Sequence, residues 1–270
     1  LPEKPAHPHF QQIPEPVKIP TKRKMIWAGN ALLALIICAS IGWLIGKVVF
    51  HGNETAVQSS EPDGSADYDP PFQNKTVIDN FIRSFVVQPD GKIVIGGGFD
   101  TVNTIESKRI ARLNADGTFD KDFAASLNSV LYCVALQPDG KILVGGDFNE
   151  VSGQPCKSVA RLNPDGSLDP AFHLWTDTEG TLRSISVQPD GKIIIAGHFT
   201  KYHGVKKNRI ARLNPDGDLD ESFKGGANGS IWTTALQPDK KILVGGDFGQ
   251  IDGVKRNRIA RLNSDGKIDN

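Results

Sequence analysis

Several residue groups in this chain have types that do chemistry elsewhere, so their spacing is the first thing to read. Asn114 to Asp120 (NADGTFD) sets oxygen ligands at alternate positions around a glycine, as a calcium loop does, but lacks the distal bidentate glutamate. A tight turn explains those residues more simply, and no metal is expected there. His173, His198 and His203 carry imidazoles suited to zinc, yet they fall in different parts of one stretch without ligand spacing. Cys133 and Cys156 stand where sibling segments carry Ser84 and Ser107. They either pair as a disulfide in an oxidising compartment or act as small-residue substitutes. Gly145 to Phe148 spells GGDF, a cyclase signature, but here it only ends an apolar run. No nucleophile–base pairing and no phosphate-binding glycine loop is visible. The expectation is a non-enzymatic protein with no cofactor. A cluster of His, Asp or Glu at the axis of the fold would reopen an enzymatic reading, such as a hydrolase or lyase.

The elements that position these residues come from a repeat. ALQPDGKILVGGDF begins at Ala135, and close variants begin at Val86, Ser186 and Ala235. Ala111, Ala160, Ala211 and Ala260 of the ARLN segments each follow Gln88, Gln137, Gln188 and Gln237 by 23 residues; Phe123, Phe172 and Phe223 follow the alanine by 12. Constant internal spacing at a period of roughly 50 residues means one supersecondary unit per copy. Each copy reads as two β-rich runs joined by a Pro-Asp-Gly turn, a third run after a Gly-bearing loop, and a short fourth after an Asn-Pro-Asp-Gly turn. The fold class is therefore all-β, a β-propeller of four ~50-residue four-stranded blades. A β-helix is the alternative, although its coils are usually shorter.

Residues repeated in every copy are expected to be structural, since packing is needed in each blade and a chemical site only once. Arg112, Arg161, Arg212 and Arg261, with Asp116, Asp165, Asp216 and Asp265, read as strand-end hydrogen bonds and Asx turns. The Gly-Gly pairs at 96–97, 145–146 and 245–246 read as close backbone approach. Lys240 stands where the other turns have Gly91, Gly140 and Gly191, so it must accept positive φ or change the turn. Asp69 to Phe72 matches Asp169 to Phe172, and Asp269 lies where that last strand would begin. The N-terminal segment would then complete the fourth copy and close a four-bladed ring; alternatively the chain belongs to a larger propeller.

The consensus QPDGKIlvgGdF followed by RiARLNpDGslDxxF resembles the delta-60 repeat, a bacterial β-propeller repeat of largely uncharacterised function, over residues 69–270. The resemblance implies a propeller and supplies no reaction.

The N-terminal part has a different composition. The whole chain has 31 basic and 31 acidic side chains, which argues against a nucleic-acid partner. Residues 1–24 hold six prolines and read as an extended cytoplasmic tail. Residues 25–46 carry no charge and are long enough to span a bilayer, giving a transmembrane helix over 25–50 and a linker over 51–68 before the propeller at 69–270. TKRK precedes the apolar stretch, so the positive-inside rule puts the tail in the cytoplasm and the repeats outside, at a bacterial inner membrane facing the periplasm. Asn30, Ala34, Cys38, Gly42 and Gly46 recur every four residues and form a small or polar stripe suited to another helix. The expected partners are other membrane subunits, reached through that helix and the tail. Trp175, Tyr202, Lys206, Lys207, Trp232, Lys255 and Arg256 lie in segments that differ between copies and are the candidate partner-contact residues. Together these features suggest an accessory subunit of a larger membrane complex, respiratory or photosynthetic for example. The alternative is a surface propeller that binds a ligand or glycan.

Overall fold

The computed structural model describes residues 72, 75–172, 178 and 180–269. The expected tail, membrane helix and linker lie outside the described residues, and so do Asn30, Ala34, Cys38, Gly42, Gly46, His173 and Trp175. Among the described residues no helix is long and apolar enough to cross a membrane.

The repeat folds as four blades of the same design. Blade one contains β1 (Ile82–Val87), β2 (Ile93–Gly97), β3 (Thr101–Val102), β4 (Ile105–Glu106) and β5 (Ile110–Leu113). Blade two contains β6 (Leu131–Leu136), β7 (Ile142–Gly146), β8 (Glu150–Val151), β9 (Gln154–Pro155) and β10 (Val159–Leu162). Blade three contains β11 (Gly180–Val187), β12 (Ile193–Phe199), β13 (Lys201–Tyr202), β14 (Val205–Lys206) and β15 (Ile210–Leu213). Blade four contains β16 (Ile231–Leu236), β17 (Ile242–Gly246), β18 (Gln250–Ile251), β19 (Val254–Lys255) and β20 (Ile259–Leu262).

Each blade is a three-stranded antiparallel sheet, ordered β1-β2-β5 in the first and likewise in the others. The expected fourth strand is reduced to one bridge per blade: Leu113–Phe119, Leu162–Leu168, Leu213–Leu219 and Leu262–Ile268. The chain turns away directly after the bridge, where the Asp122 N–H donates to the Asp120 carboxylate at 3.1 Å, so the ladder is not extended. A two-stranded hairpin follows the second strand of every blade, where the sequence suggested only a loop. Its turns, Asn103-Thr104, Ser152-Gly153, His203-Gly204 and Asp252-Gly253, have positive φ at both central residues. That is the type I′ geometry that matches strand twist.

Burial explains the stacking. Val94 and Ile110 of blade one share a core with Leu131, Val134, Ile142 and Val144 of blade two. Leu143 and Val159 of blade two pack with Leu182, Ile193 and Ile195 of blade three. Ile194 and Ile210 of blade three pack with Ile231, Ile242 and Val244 of blade four. Each sheet is therefore apolar on both faces, and its strands read as near-continuous hydrophobic runs.

Polar pins fix each blade edge. Asp169 is 3% exposed and receives Lys141 Nζ and Arg161 Nε, each at 2.6 Å. Asp120 and Asp220 repeat the arrangement with Lys92 and Arg112, and with Lys192 and Arg212. Burial pushes the Asp169 carboxyl up, but Lys141, the Ala171 N–H and Arg161 together outweigh it and hold it below the usual range.

Lys240 resolves its expected choice by accepting φ of 67°, with the turn kept. Phe72 lies against Gly117 of blade one and is half-exposed, while residues 69–71 of the segment expected to complete the fourth copy lie outside the described residues.

Candidate functional site: the bulge row

The first strand of every blade carries one extra residue near its start. The register jumps between Ile82 and Ser84, Leu131 and Cys133, Leu182 and Ser184, and Ile231 and Thr233. The bulged residues are Arg83, Tyr132, Arg183 and Trp232. The bulge has a local cause in the facing strand. A Cβ on Gly97 would stand 2.1 Å from Phe81 O, and one on Gly146 2.3 Å from Val130 O. Only glycine lets the two backbones approach that closely, so the second glycine of each pair, matched in blade three by Gly197 after Ala196, encodes the bulge.

A bulge re-aims a side chain, and here it builds a stacked row. Arg183 Cζ stands 3.7 Å from the centre of the Tyr132 ring and 5.0 Å from that of Trp232. The guanidinium is thus held between two aromatic faces contributed by the blades on either side. Trp232 is 44% exposed, and its Nε1 donates to Asp247 Oδ2 at 2.8 Å, which fixes the indole plane.

A second row lies beside the first, one residue past Gly97, Gly146, Gly197 and Gly246: Gly98, Asp147, His198 and Asp247. Asp147 Oδ1 accepts from Thr181 Oγ1 at 3.1 Å. His198 Nδ1 and Ser230 Oγ share a hydrogen bond at 2.6 Å. That serine–histidine pair has a nucleophile and a base, but no carboxylate orients the imidazole among the hydrogen bonds of the described residues. The arrangement as a whole offers flat apolar faces, a held cation and two carboxylates, which suits recognition of a surface or ligand.

The hairpins stand at the same end of the blades as the bulges, because both adjoin the close of the second strand. The hairpins of blades one, two and four pack on the segment entering the first strand through the bridges Ile78–Val102, Leu127–Val151 and Ala227–Ile251. Lys206 on β14 and Lys255 on β19 are exposed at equivalent positions. Lys207 is half-buried, donates from Nζ to Phe223 O at 3.1 Å, and is pushed below the ordinary lysine range by burial. Arg256 donates to Lys255 O at 2.9 Å. The structure therefore places Trp232, Lys206, Lys207, Lys255 and Arg256 at one end.

Tyr202 does not belong with them. It is fully buried, stacks on His203 with ring centres 4.4 Å apart, and donates its hydroxyl to Gly217 O at 2.7 Å. Its siblings Val102, Val151 and Ile251 are core residues, so a tyrosine that differs from them is a larger core residue with its hydroxyl satisfied. Sequence reading missed Arg83, Tyr132 and Arg183. Their signal was present, since they vary between positions that repeat as apolar (Ile82, Leu131, Leu182, Ile231) and small (Ser84, Cys133, Ser184, Thr233).

The remaining chemical candidates are absorbed by structure. The Asp116 carboxylate caps its own turn, and Asp120 is pinned by Lys92 and Arg112. Cys133 and Cys156 are both buried and are not joined to each other by a disulfide. Cys133 Sγ lies 3.5 Å from Gly145 O, and Cys156 Sγ lies 3.2 Å from Val159 O.

Similar folds occur among solved structures. The WD40 β-propeller domain of Doa1 is 16% identical with a TM-score of 0.44, over 62% of this chain and 48% of that one. Virginiamycin B lyase from Staphylococcus aureus is 16% identical with a TM-score of 0.44, over 72% and 58%. A gluconolactonase from Xanthomonas campestris is 18% identical with a TM-score of 0.43, over 70% and 60%. The chain spans about half the length of the first of these. No curated protein matches the chain. A family profile described as a domain of unknown function (DUF5122) beta-propeller matches residues 88–123, 137–172, 188–223 and 237–270, one match per blade. The chain belongs to that β-propeller family.

Proposed function

We propose that this chain is a non-enzymatic interaction protein that presents one end of its blades, the end bearing the bulges and hairpins, to a protein partner. The observation that carries the reading is the Tyr132–Arg183–Trp232 stack, half-exposed and unrepeated on an otherwise repeated scaffold. Aromatic and arginine side chains held in fixed planes are the groups that dominate protein interfaces. The exposed Lys206 and Lys255 hairpins at the same end supply a basic rim.

In its full form the proposal keeps the uncharged stretch 25–46 as a single-pass anchor, with the tail cytoplasmic and the propeller in the periplasm. The chain then serves as an accessory subunit of a larger membrane complex, and its repeats are those of the delta-60 pattern. A second reading, binding of a glycan at the same end, is favoured by Trp232, whose indole is held flat by Asp247 with nearly half its surface open.

Gentle solubilisation of the native membrane and pull-down of the full chain tests the first reading. Stoichiometric membrane proteins should co-purify with the parent chain and be lost from Trp232→Ala and Arg183→Ala variants. Recovery of the chain alone sinks the complex-subunit reading. Retention of the detergent-solubilised parent chain on a glycan surface, lost in Trp232→Ala, would favour the second.

A further inference from the structure

Asn228-Gly229 is the one Asn-Gly pair in the sequence, and it falls where the segment entering the first strand anchors the hairpin. The same anchor is built in other blades. In blade one Asp79 Oδ1 accepts from the Asp100 and Thr101 N–H groups at 2.9 and 3.1 Å. In blade two Asn128 Oδ1 accepts from the Asn149 and Glu150 N–H groups at 3.1 and 3.2 Å. In blade four Asn228 Oδ1 accepts from the Gly249 and Gln250 N–H groups, both at 2.9 Å. An acid and an amide thus fill the same role.

Asn228 differs from Asn128 in what surrounds its amide. The Asn128 Nδ2 donates to Asn149 Oδ1. Gly249 stands in the place of Asn149 in blade four, and Asn228 Nδ2 has no acceptor among the described residues. The following residue is Ser129 in blade two and Gly229 in blade four. Gly229 has no Cβ to hinder its nitrogen, and its N–H is bonded to nothing among the described residues. A carbonyl that receives two backbone N–H bonds is polarised toward attack, because the same donors stabilise the oxyanion that attack creates. Both asparagines are exposed, so access of water does not separate them.

We infer that Asn228 is a spontaneous modification site, converted in the folded chain from amide to acid through a cyclic imide. The Gly229 nitrogen gives its proton to solvent and bonds to Asn228 Cγ; the Cγ–Nδ2 bond breaks and the amide nitrogen leaves, protonated, as ammonia. Water then opens the ring. Addition at Cγ gives aspartate, and addition at the Asn228 backbone carbonyl gives isoaspartate, whose chain runs through the former side chain. Water is the only co-reactant. A cleft of about 180 Å³, lined by Asn208, Asp252 and Gly253, opens beside Asn228 and holds room for it. The aspartate product has a template in blade one. There Asp79 makes the same two bonds, and the Thr101 N–H holds its carboxyl below the ordinary range. The new charge falls at the end of the blades that bears Trp232 and Asp247, whatever that end binds.

Incubation of the purified full chain in mild detergent and mildly alkaline buffer, followed by peptide mass mapping, tests this. The peptide holding Asn228 should gain the mass of an amide turned into an acid about tenfold or more faster than the one holding Asn128. Ammonia should be released in matching amount, and both aspartate and isoaspartate should be recovered at position 228. Ser129→Gly, which only removes atoms, should speed conversion at Asn128. Asn228→Asp should keep the circular dichroism and urea midpoint of the parent. An Asn228 amide that stays intact in the folded chain while the urea-unfolded chain converts overturns the inference, because the fold then protects the site. Equal conversion at Asn128 and Asn228 overturns it as well, as does an Asn128 indifferent to Ser129→Gly. Aspartate without isoaspartate refutes the imide, and an Asn228→Asp chain that unfolds at markedly lower urea refutes the likeness to Asp79.

Discussion

Replacing Asp169 by alanine should be among the most damaging single changes in the propeller, and the structure says by how much. The Asp169 carboxylate is 3% exposed and holds two cations, Lys141 Nζ and Arg161 Nε, at 2.6 Å each. It also accepts the Ala171 N–H at 3.0 Å. Removing it leaves the Arg161 guanidinium, 8% exposed, without its counter-ion inside the blade junction. Breaking a buried pair in this way costs about 3–5 kcal/mol. Asp165, four residues earlier, provides the control. Its carboxylate accepts only from Ser167 N–H and Ser167 Oγ at an exposed turn, at 2.9 and 2.7 Å. Asp165→Ala removes the same formal charge but should cost about 1 kcal/mol. Urea unfolding followed by circular dichroism measures both, with the slope compared to confirm that the same unit unfolds. The pH dependence has a definite sign. The folded Asp169 carboxyl titrates below its unfolded value, so its contribution is complete above about pH 4 and disappears as pH falls through the folded value. The Asp169→Ala chain should therefore lose less stability on acidification than the parent. Equal costs for the two substitutions, or identical acid profiles, would refute the claim that the buried triad, rather than net charge, holds the blade.

Three further outcomes follow from the same geometry. Lys240→Gly relieves a lysine at φ of 67° and should raise stability by about 0.5–1 kcal/mol in the same urea assay. Tyr202→Phe deletes the donor to Gly217 O inside the core and should cost about 1–2 kcal/mol, with the fold otherwise unchanged by near-UV dichroism. Burial pushes the Cys133 thiol far up, so native chain treated with iodoacetamide at pH 8 should show no alkylation at Cys133 by peptide mass mapping. Unfolding in urea should release it, and a Cys133–Cys156 peptide under non-reducing digestion should be absent.

Much of this molecule is legible from spacing because a repeat is a local code. The QPDG and NPDG turns, the Gly-Gly pairs and the ARL strands each determine a backbone conformation within a few residues. Their four-fold recurrence announced the propeller and its blade count without any long-range information. The structural role of the repeated arginines was legible too, although their buried partners are Asp120, Asp169 and Asp220 rather than the turn aspartates. Tertiary structure alone decided which unrepeated residues meet. Tyr132, Arg183 and Trp232 are about 50 residues apart in sequence, and only the stacking of blades brings their planes together. It also decided that Tyr202, which looks like a variable loop residue, fills a core, because burial depends on what packs over a position and not on its neighbours in the chain. The short hairpins fell between these cases: a Ser-Gly or Asp-Gly pair signals a turn locally, but only the bridge back to the incoming segment gives so brief a ladder its hold.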